Sequence, residues 1–162
     1  MRYKDRQFEV QFVSGVSPKQ MIDVVQKQRK RFKASLAQPV KARLEAPGLV
    51  IEASADKSSY SKGSTGKIHI VLLTKENHTI GGPGLGKTKV SIKADDSISL
   101  PETSKWIDSQ LARKSEFSFA MTVKKTTGAH KVTVEVHYQS QSTTKGKLPS
   151  QTVKLVVLVT SR

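Results

Sequence analysis

From Ser115 to Gln139 two successive runs are apolar at every second residue, and this alternation limits what the chain can fold into more than any other feature. Phe117, Phe119, Met121 and Val123 form one series and Val132, Val134, Val136 and Tyr138 the other. Glu116, Ser118, Thr122, Lys131, Thr133, Glu135 and His137 sit between them. A period of two places one set of side chains on one face of an extended segment, so each run has a dry side and a wet side. The link Lys124-Lys125-Thr126-Thr127-Gly128 is polar and ends on a glycine, where a positive φ is cheap. The pattern predicts an antiparallel hairpin.

The same alternation recurs along most of the chain. Phe8, Val10 and Phe12 mark a first strand over Gln7 to Val13, closed by Ser14-Gly15. Ser17-Pro18-Lys19-Gln20 then has the form of a helix start, with Ser17 as cap, Pro18 at the first helical position and Gln20 completing a capping box. A helix to about Leu36 follows, its stripe made of Met21, Val25, Phe32 and Leu36, its other faces basic, and Pro39 closes it. From Val40 onward the reading is β. Val40 to Glu45 and Leu49 to Ala53 are separated by a bend at Ala46-Pro47-Gly48, and Tyr60-Ser61-Lys62-Gly63 turns into Lys67 to Leu73. Lys87 to Lys93 with Val90 and Ile92 inward, a short strand at Ser97 to Leu100, and Thr152 to Val159 complete the set. Thr103 to Ala112 is read as a short helix capped by Thr103, gathering Trp106, Ile107 and Leu111, and Ser140 to Pro149 as a polar loop. Short strands with turns at regular intervals favour a sandwich over a barrel or a parallel sheet.

A chain of 162 residues holds one domain with a real core plus an appendage. The expected division is an appendage over 1–39 and a sandwich over 40–162. The chain contains no cysteine, so disulfides, thiolate metal sites and a cysteine nucleophile are excluded. The opening Met1-Arg2-Tyr3-Lys4-Asp5-Arg6 leads into alternation and not into the apolar core of a signal peptide. The expectation is a chain that stays inside the cell, or one from which a leader has been cut. A net charge of +15 attracts nucleic acid, anionic lipid or an acidic protein.

Two strands carry apolar residues on both faces. In Lys67 to Leu73, Ile68, Ile70 and Leu72 oppose Val71 and Leu73; in the last strand, Val153, Leu155, Val157 and Val159 oppose Val156 and Leu158. Second faces of this kind call for a cover, and the amphipathic helix is expected to pack there. A partner subunit or a neighbouring domain is the alternative.

Tyr60-Ser61-Lys62-Gly63 before Ile68-His69-Ile70, the glycine-rich link into Val90-Ser91-Ile92, and Phe117-Ser118-Phe119 leading through Gly128-Ala129-His130 to Val132 and Val134 carry a resemblance. Over about residues 49–159 the chain resembles bacterial immunoglobulin-like domains of the adhesion or macroglobulin type. The resemblance implies a two-sheet sandwich used for spacing, docking or binding, and it carries no shared catalytic residues with it.

Gly81-Gly82-Pro83-Gly84-Leu85-Gly86-Lys87-Thr88 matches the phosphate-loop letters G-x-x-x-x-G-K-[ST]. That chemistry needs a helix leaving the loop, so that backbone amides converge on the phosphates. Lys87 to Lys93 alternates as a strand instead, and a mobile glycine-rich connection is the expectation. His69, His78, His130 and His137 are read as solvated surface histidines, since no pattern of ligands joins them. The carboxylates show no calcium-loop spacing, and no nucleophile elbow appears. No cofactor, no metal and no catalysis are expected.

Gln26-Lys27-Gln28-Arg29-Lys30-Arg31-Phe32-Lys33 is the densest basic cluster, and Lys27, Arg29, Lys30, Arg31 and Lys33 are the candidate partner-binding residues. A solvated helix face accounts for them equally well. The remaining lysines, such as Lys57, Lys89, Lys105, Lys125 and Lys147, are dispersed along the sequence. The resulting expectation is a mainly β chain: an immunoglobulin-like antiparallel sandwich preceded by a strand and a basic amphipathic helix. It acts as a non-catalytic binding or assembly module for an acidic protein. The alternatives are a nucleic-acid-binding protein that uses phosphate contacts, and a phosphate-loop nucleotide-binding protein.

Overall fold

Pro47 and Gly48 set the first tight turn. Ala46 pairs with Leu49 across it, proline holds its φ near the value the first corner needs, and Gly48 supplies a φ of 74° at the second. The structure, a computed structural model, describes residues 41–124 and 128–161. The expected strand Gln7 to Val13, the helix from Ser17 to about Leu36 and the cluster Lys27, Arg29, Lys30, Arg31 and Lys33 lie outside the described residues. Twelve strands and no helix occur among the described residues. They are β1 (Ala42–Ala46), β2 (Leu49–Ala55), β3 (Thr65–Thr74), β4 (His78–Ile80), β5 (Thr88–Ala94) and β6 (Ile98–Ser99). The second half adds β7 (Ser104–Ile107), β8 (Lys114–Val123), β9 (Gly128–Tyr138), β10 (Ser140–Ser142), β11 (Gly146–Lys147) and β12 (Gln151–Ser161).

One sheet runs β1-β2-β3-β8-β6 and a second runs β12-β9-β5-β7, with every pairing antiparallel. A small third sheet, β11-β10-β4, closes one end. Taking β2, β3, β5, β8, β9 and β12 as strands A, B, C, E, F and G gives A-B-E against G-F-C, the arrangement of an immunoglobulin-like sandwich. β6 and β7 depart from the usual order, because the chain visits the edge of the first sheet before returning to that of the second.

The core lies between the two sheets. Ile51, Ile68, Ile70, Leu72, Phe119, Met121 and Val123 come from one side and Val90, Ile92, Val132, Val134, Val136, Tyr138 and Val157 from the other, all buried in a single cluster. The alternation around Ser115–Gln139 therefore identifies the dry faces, but the expected hairpin is not formed. β8 pairs with β3 and β6, while β9 pairs with β5 and β12 in the opposite sheet. Both dry faces meet the same core from opposite sides, which satisfies the pattern as well as a hairpin does.

Two further expectations are corrected. Ser104 to Ile107 is an edge strand paired with β5 from Thr88↔Ile107 to Ser91↔Ser104, and not part of a helix. Trp106, Ile107 and Leu111 do not lie together: Trp106 faces solvent, whereas Leu111 is buried and gives its N–H to the carbonyl of Ile80 at 3.0 Å. The polar stretch after Tyr138 is also ordered into strands, with Ser140 and Ser142 buried as β10 pairs with β4 and β11.

The two second apolar faces belong to different sheets and point away from each other. On the first sheet Val50 lies opposite Leu73, and Val71 and Leu73 are half-buried by their neighbours. On the second, Val156 and Leu158 are 47% and 52% exposed.

Candidate interaction face

The alternation that buries one face of the second sheet projects the other into solvent. Strand register arranges these outward residues in rows. Trp106, Lys89, His137 and Thr152 form the first row and Ser104, Ser91, Glu135 and Lys154 the second. Lys93, Thr133 and Val156 form the third, and Lys131 and Leu158 the fourth. Adjacent strands lie about 4.8 Å apart, so lysines that are distant in sequence become neighbours.

Charge on this face is unbalanced: Lys89, Lys93, Lys131 and Lys154 stand against Glu135 alone. Lys154 Nζ reaches Glu135 Oε2 at 3.4 Å. Lys89 Nζ sits 5.0 Å from the centre of the Trp106 ring, a cation–π contact. Lys93 and Lys131 have no carboxylate partner among the described residues. Trp106 itself is 58% exposed, and with Val156 and Leu158 it makes up the exposed large apolar side chains of the described residues. Beside β5 the surface dips into a shallow depression lined by Lys89, Lys93, Lys124 and Glu135 together with Ser91 and Ser104.

The outer face of the first sheet is different. Arg43 pairs with Glu52 at 2.8 Å and with Glu45 at 3.4 Å, Lys75 also reaches Glu45, and Lys114 pairs with Glu116. The hydrogen bond from Arg43, aided by Lys75, holds the Glu45 carboxyl below its ordinary range, and Lys114 does the same for Glu116. Exposed pairs of this kind add little stability, but they leave that face nearly neutral.

The glycine-rich segment connects two strands, as expected, and does so through a hydrogen-bonded turn. Gly82 N–H donates to the carbonyl of Gly86 and Leu85 N–H to that of Gly82, each at 3.0 Å, with Pro83 and Gly84 at the corners and Leu85 buried. Gly81 and Gly82 have φ of 62° and 87°, and a Cβ added to them would meet Thr88 Oγ1 at 2.7 Å and the backbone nitrogen of Gln110 at 3.0 Å, respectively. A strand leaves the turn, Lys87 pairs with Asp108 at 3.0 Å, and the Thr88 hydroxyl is buried without a hydrogen-bond partner. A phosphate loop needs that lysine and hydroxyl aimed together at a ligand, and here they point to opposite sides of β5.

The histidines divide. His69 and His137 are exposed as expected, and His137 Nδ1 meets Thr152 Oγ1 at 2.8 Å. His130 is not a surface residue. It is 7% exposed, on the inward face of β9, with Nε2 2.7 Å from Ser161 Oγ and Nδ1 3.8 Å from Asp95 Oδ2. This ordering of serine, histidine and aspartate resembles an acyl-transfer triad, but the geometry opposes that chemistry. Ser161 is 3% exposed, the carboxylate lies beyond hydrogen-bond distance, and Asp95 Oδ1 already accepts the N–H of Ser97 at 2.8 Å. The contact ties the end of β12 to β9.

No family model matches the chain, and no curated protein matches it. Among solved structures it is similar to the GAE domain of GGA2p from Saccharomyces cerevisiae, at 16% identity and a TM-score of 0.49, covering 76% of this chain and 100% of that one. It is also similar to the seventh ASH or PapD-like domain of human CEP192, at 11% identity and a TM-score of 0.36, covering 80% and 96%. Both scores lie below 0.5, so the immunoglobulin-like assignment rests on the strand order.

Proposed function

We propose that this domain works without catalysis as a binding or assembly module, docking an acidic protein through the outer face of the second sheet. The basic cluster Lys27, Arg29, Lys30, Arg31 and Lys33 contributes to the same attraction. The observation that carries the reading is the asymmetry of the sandwich. One outer face is neutralised by its own ion pairs; the other gathers four lysines around one glutamate and exposes a tryptophan and two aliphatic side chains. A docking surface needs an apolar anchor within a polar rim, and aromatic residues are the commonest anchors. Uncompensated lysines gathered on one face act together on an anionic partner, an attraction that physiological salt screens beyond about 8 Å. Docking without catalysis is also what the resemblance to adhesion-type and macroglobulin-type modules implies.

Two triple variants of the full chain test the reading at equal net charge. Lys89, Lys93 and Lys131 changed to serine remove the candidate face; Arg43, Lys67 and Lys114 changed to serine remove the same charge from the other. A glutamate-rich peptide is expected to lose most of its affinity for the first variant and little for the second. Equal losses contradict the proposal. So does tighter binding of random-sequence DNA than of the peptide at physiological salt, which supports phosphate contacts instead.

A further inference from the structure

Among the described residues β12 ends the second sheet and, apart from a single bridge near its end, pairs with β9, in an unbroken register from Gln151↔Tyr138 to Ser161↔Gly128. In an antiparallel strand the N–H and C=O of one residue point to the same side, and successive residues alternate sides. Thr160 shows which set is which. Its carbonyl points away from β9 and accepts the N–H of Tyr60 at 2.9 Å, forming a one-residue parallel bridge. Thr152, Lys154, Val156 and Leu158 share its parity, so their backbone groups face the open edge, and among the described residues no other backbone group pairs with them. No proline and no bulge interrupts this edge, and Lys154 is the one charged side chain along it. Prolines and bulges are among the devices that ordinarily blunt natural edges, and an edge that lacks them accepts an added strand.

The side chains of the same four residues lie on the candidate interaction face, with Val156 and Leu158 about half exposed. An incoming strand would gain main-chain hydrogen bonds and cover both. Resting on the docking function proposed above, we infer that the free edge of β12 takes an extended acidic segment of the partner protein as an added strand. Charge selects this occupant. Lys154 lies on the edge strand and Lys131 beside Leu158, whereas a second copy would bring another chain of net charge +15 against them.

The test uses the isotope-labelled full chain and a synthetic decapeptide that alternates valine with threonine and ends in two glutamates. In the free protein the amides of Lys154, Val156 and Leu158 are expected to exchange with solvent quickly and those of Leu155 and Val157 slowly. Peptide binding is expected to slow the first group and leave the second unchanged. Val156→Pro removes an outward N–H without touching the ladder to β9, and it is expected to weaken binding roughly tenfold, the loss of about one interfacial hydrogen bond. Val156→Thr keeps the N–H and retains binding, and a peptide N-methylated at alternate residues does not bind. The inference is overturned by binding that leaves the edge amides exchanging quickly, by no binding at millimolar peptide, or by protection that accompanies dimerisation of the free chain. If face variants abolish binding of the glutamate-rich peptide while edge amides stay unprotected, the docking function stands and the added strand does not.

Discussion

Tyr138 Oη donates to the carbonyl of Pro47 at 2.9 Å, joining the end of β9 to the turn of the β1–β2 hairpin 91 residues earlier. The ring is fully buried, so the bond ties the two sheets together at the place where the small third sheet closes the sandwich. Tyr138→Phe keeps the ring and removes the donor, leaving the Pro47 carbonyl without that partner. The expected loss is about 1 to 2 kcal/mol, read from urea unfolding at neutral pH with an unchanged m-value.

Burial pushes the Tyr138 hydroxyl up to about 12 from its ordinary 10. Tyr60, buried and donating to Asp56, is shifted further in the same direction. Because ionisation is disfavoured in the folded state, this stabilisation is fully present below about pH 10 and is lost as pH rises through the folded values. Thermal unfolding is expected to fall off above pH 10 in the wild type. In Tyr138→Phe the fall between pH 10 and 12 should be shallower than in the wild type; an identical slope contradicts the assignment.

The glycine-rich turn separates backbone strain from crowding. A Cβ on Gly84, with φ of 77°, meets nothing within 4 Å, whereas one on Gly82, with φ of 87°, meets the backbone nitrogen of Gln110 at 3.0 Å. Gly84→Ala is expected to cost about 1 kcal/mol from the left-handed conformation alone. Gly82→Ala adds a clash with backbone that cannot swing aside, and should cost about 3 kcal/mol, measured by chemical denaturation of both variants.

Thr88→Val tests the same region from the inside. The threonine hydroxyl is buried and without a hydrogen-bond partner, so an isosteric methyl removes a desolvated polar group. Stability is expected to rise by about 1 kcal/mol. A phosphate loop would instead lose its magnesium-facing hydroxyl and with it nucleotide affinity, which isothermal titration with magnesium ATP checks.

What could be read from the residues was the direction of side chains, not the choice of partner strands. Val132, Val134, Val136 and Tyr138 are all buried as their period required. That β8 pairs through Ile68↔Phe119 and not with β9 depends on contacts across the core, which alternation does not encode. β7 was misread because four residues are too few to show a period, and adjacent Trp106 and Ile107 fit a helix face as well. β4, β10 and β11 were missed because buried Ser140 and Ser142 give no apolar signal. The candidate face was half visible: Lys89 and Lys93 flank inward Val90 and Ile92 on one strand. Only the register placed Lys131 and Lys154 on the same face.

Trp106 is the single tryptophan of the chain and stands on the candidate face beside Lys89, so its emission reports directly on whether that face is the docking surface. The decisive measurement is a fluorescence titration of the full chain with a glutamate-rich peptide at physiological salt, repeated with Lys89→Glu. The account predicts a saturable change in Trp106 emission with the wild type, lost in Lys89→Glu while both melt within about 0.5 kcal/mol of each other, as expected for an exposed substitution. Peptide binding that leaves Trp106 emission unchanged, or that survives Lys89→Glu at full affinity, would contradict it.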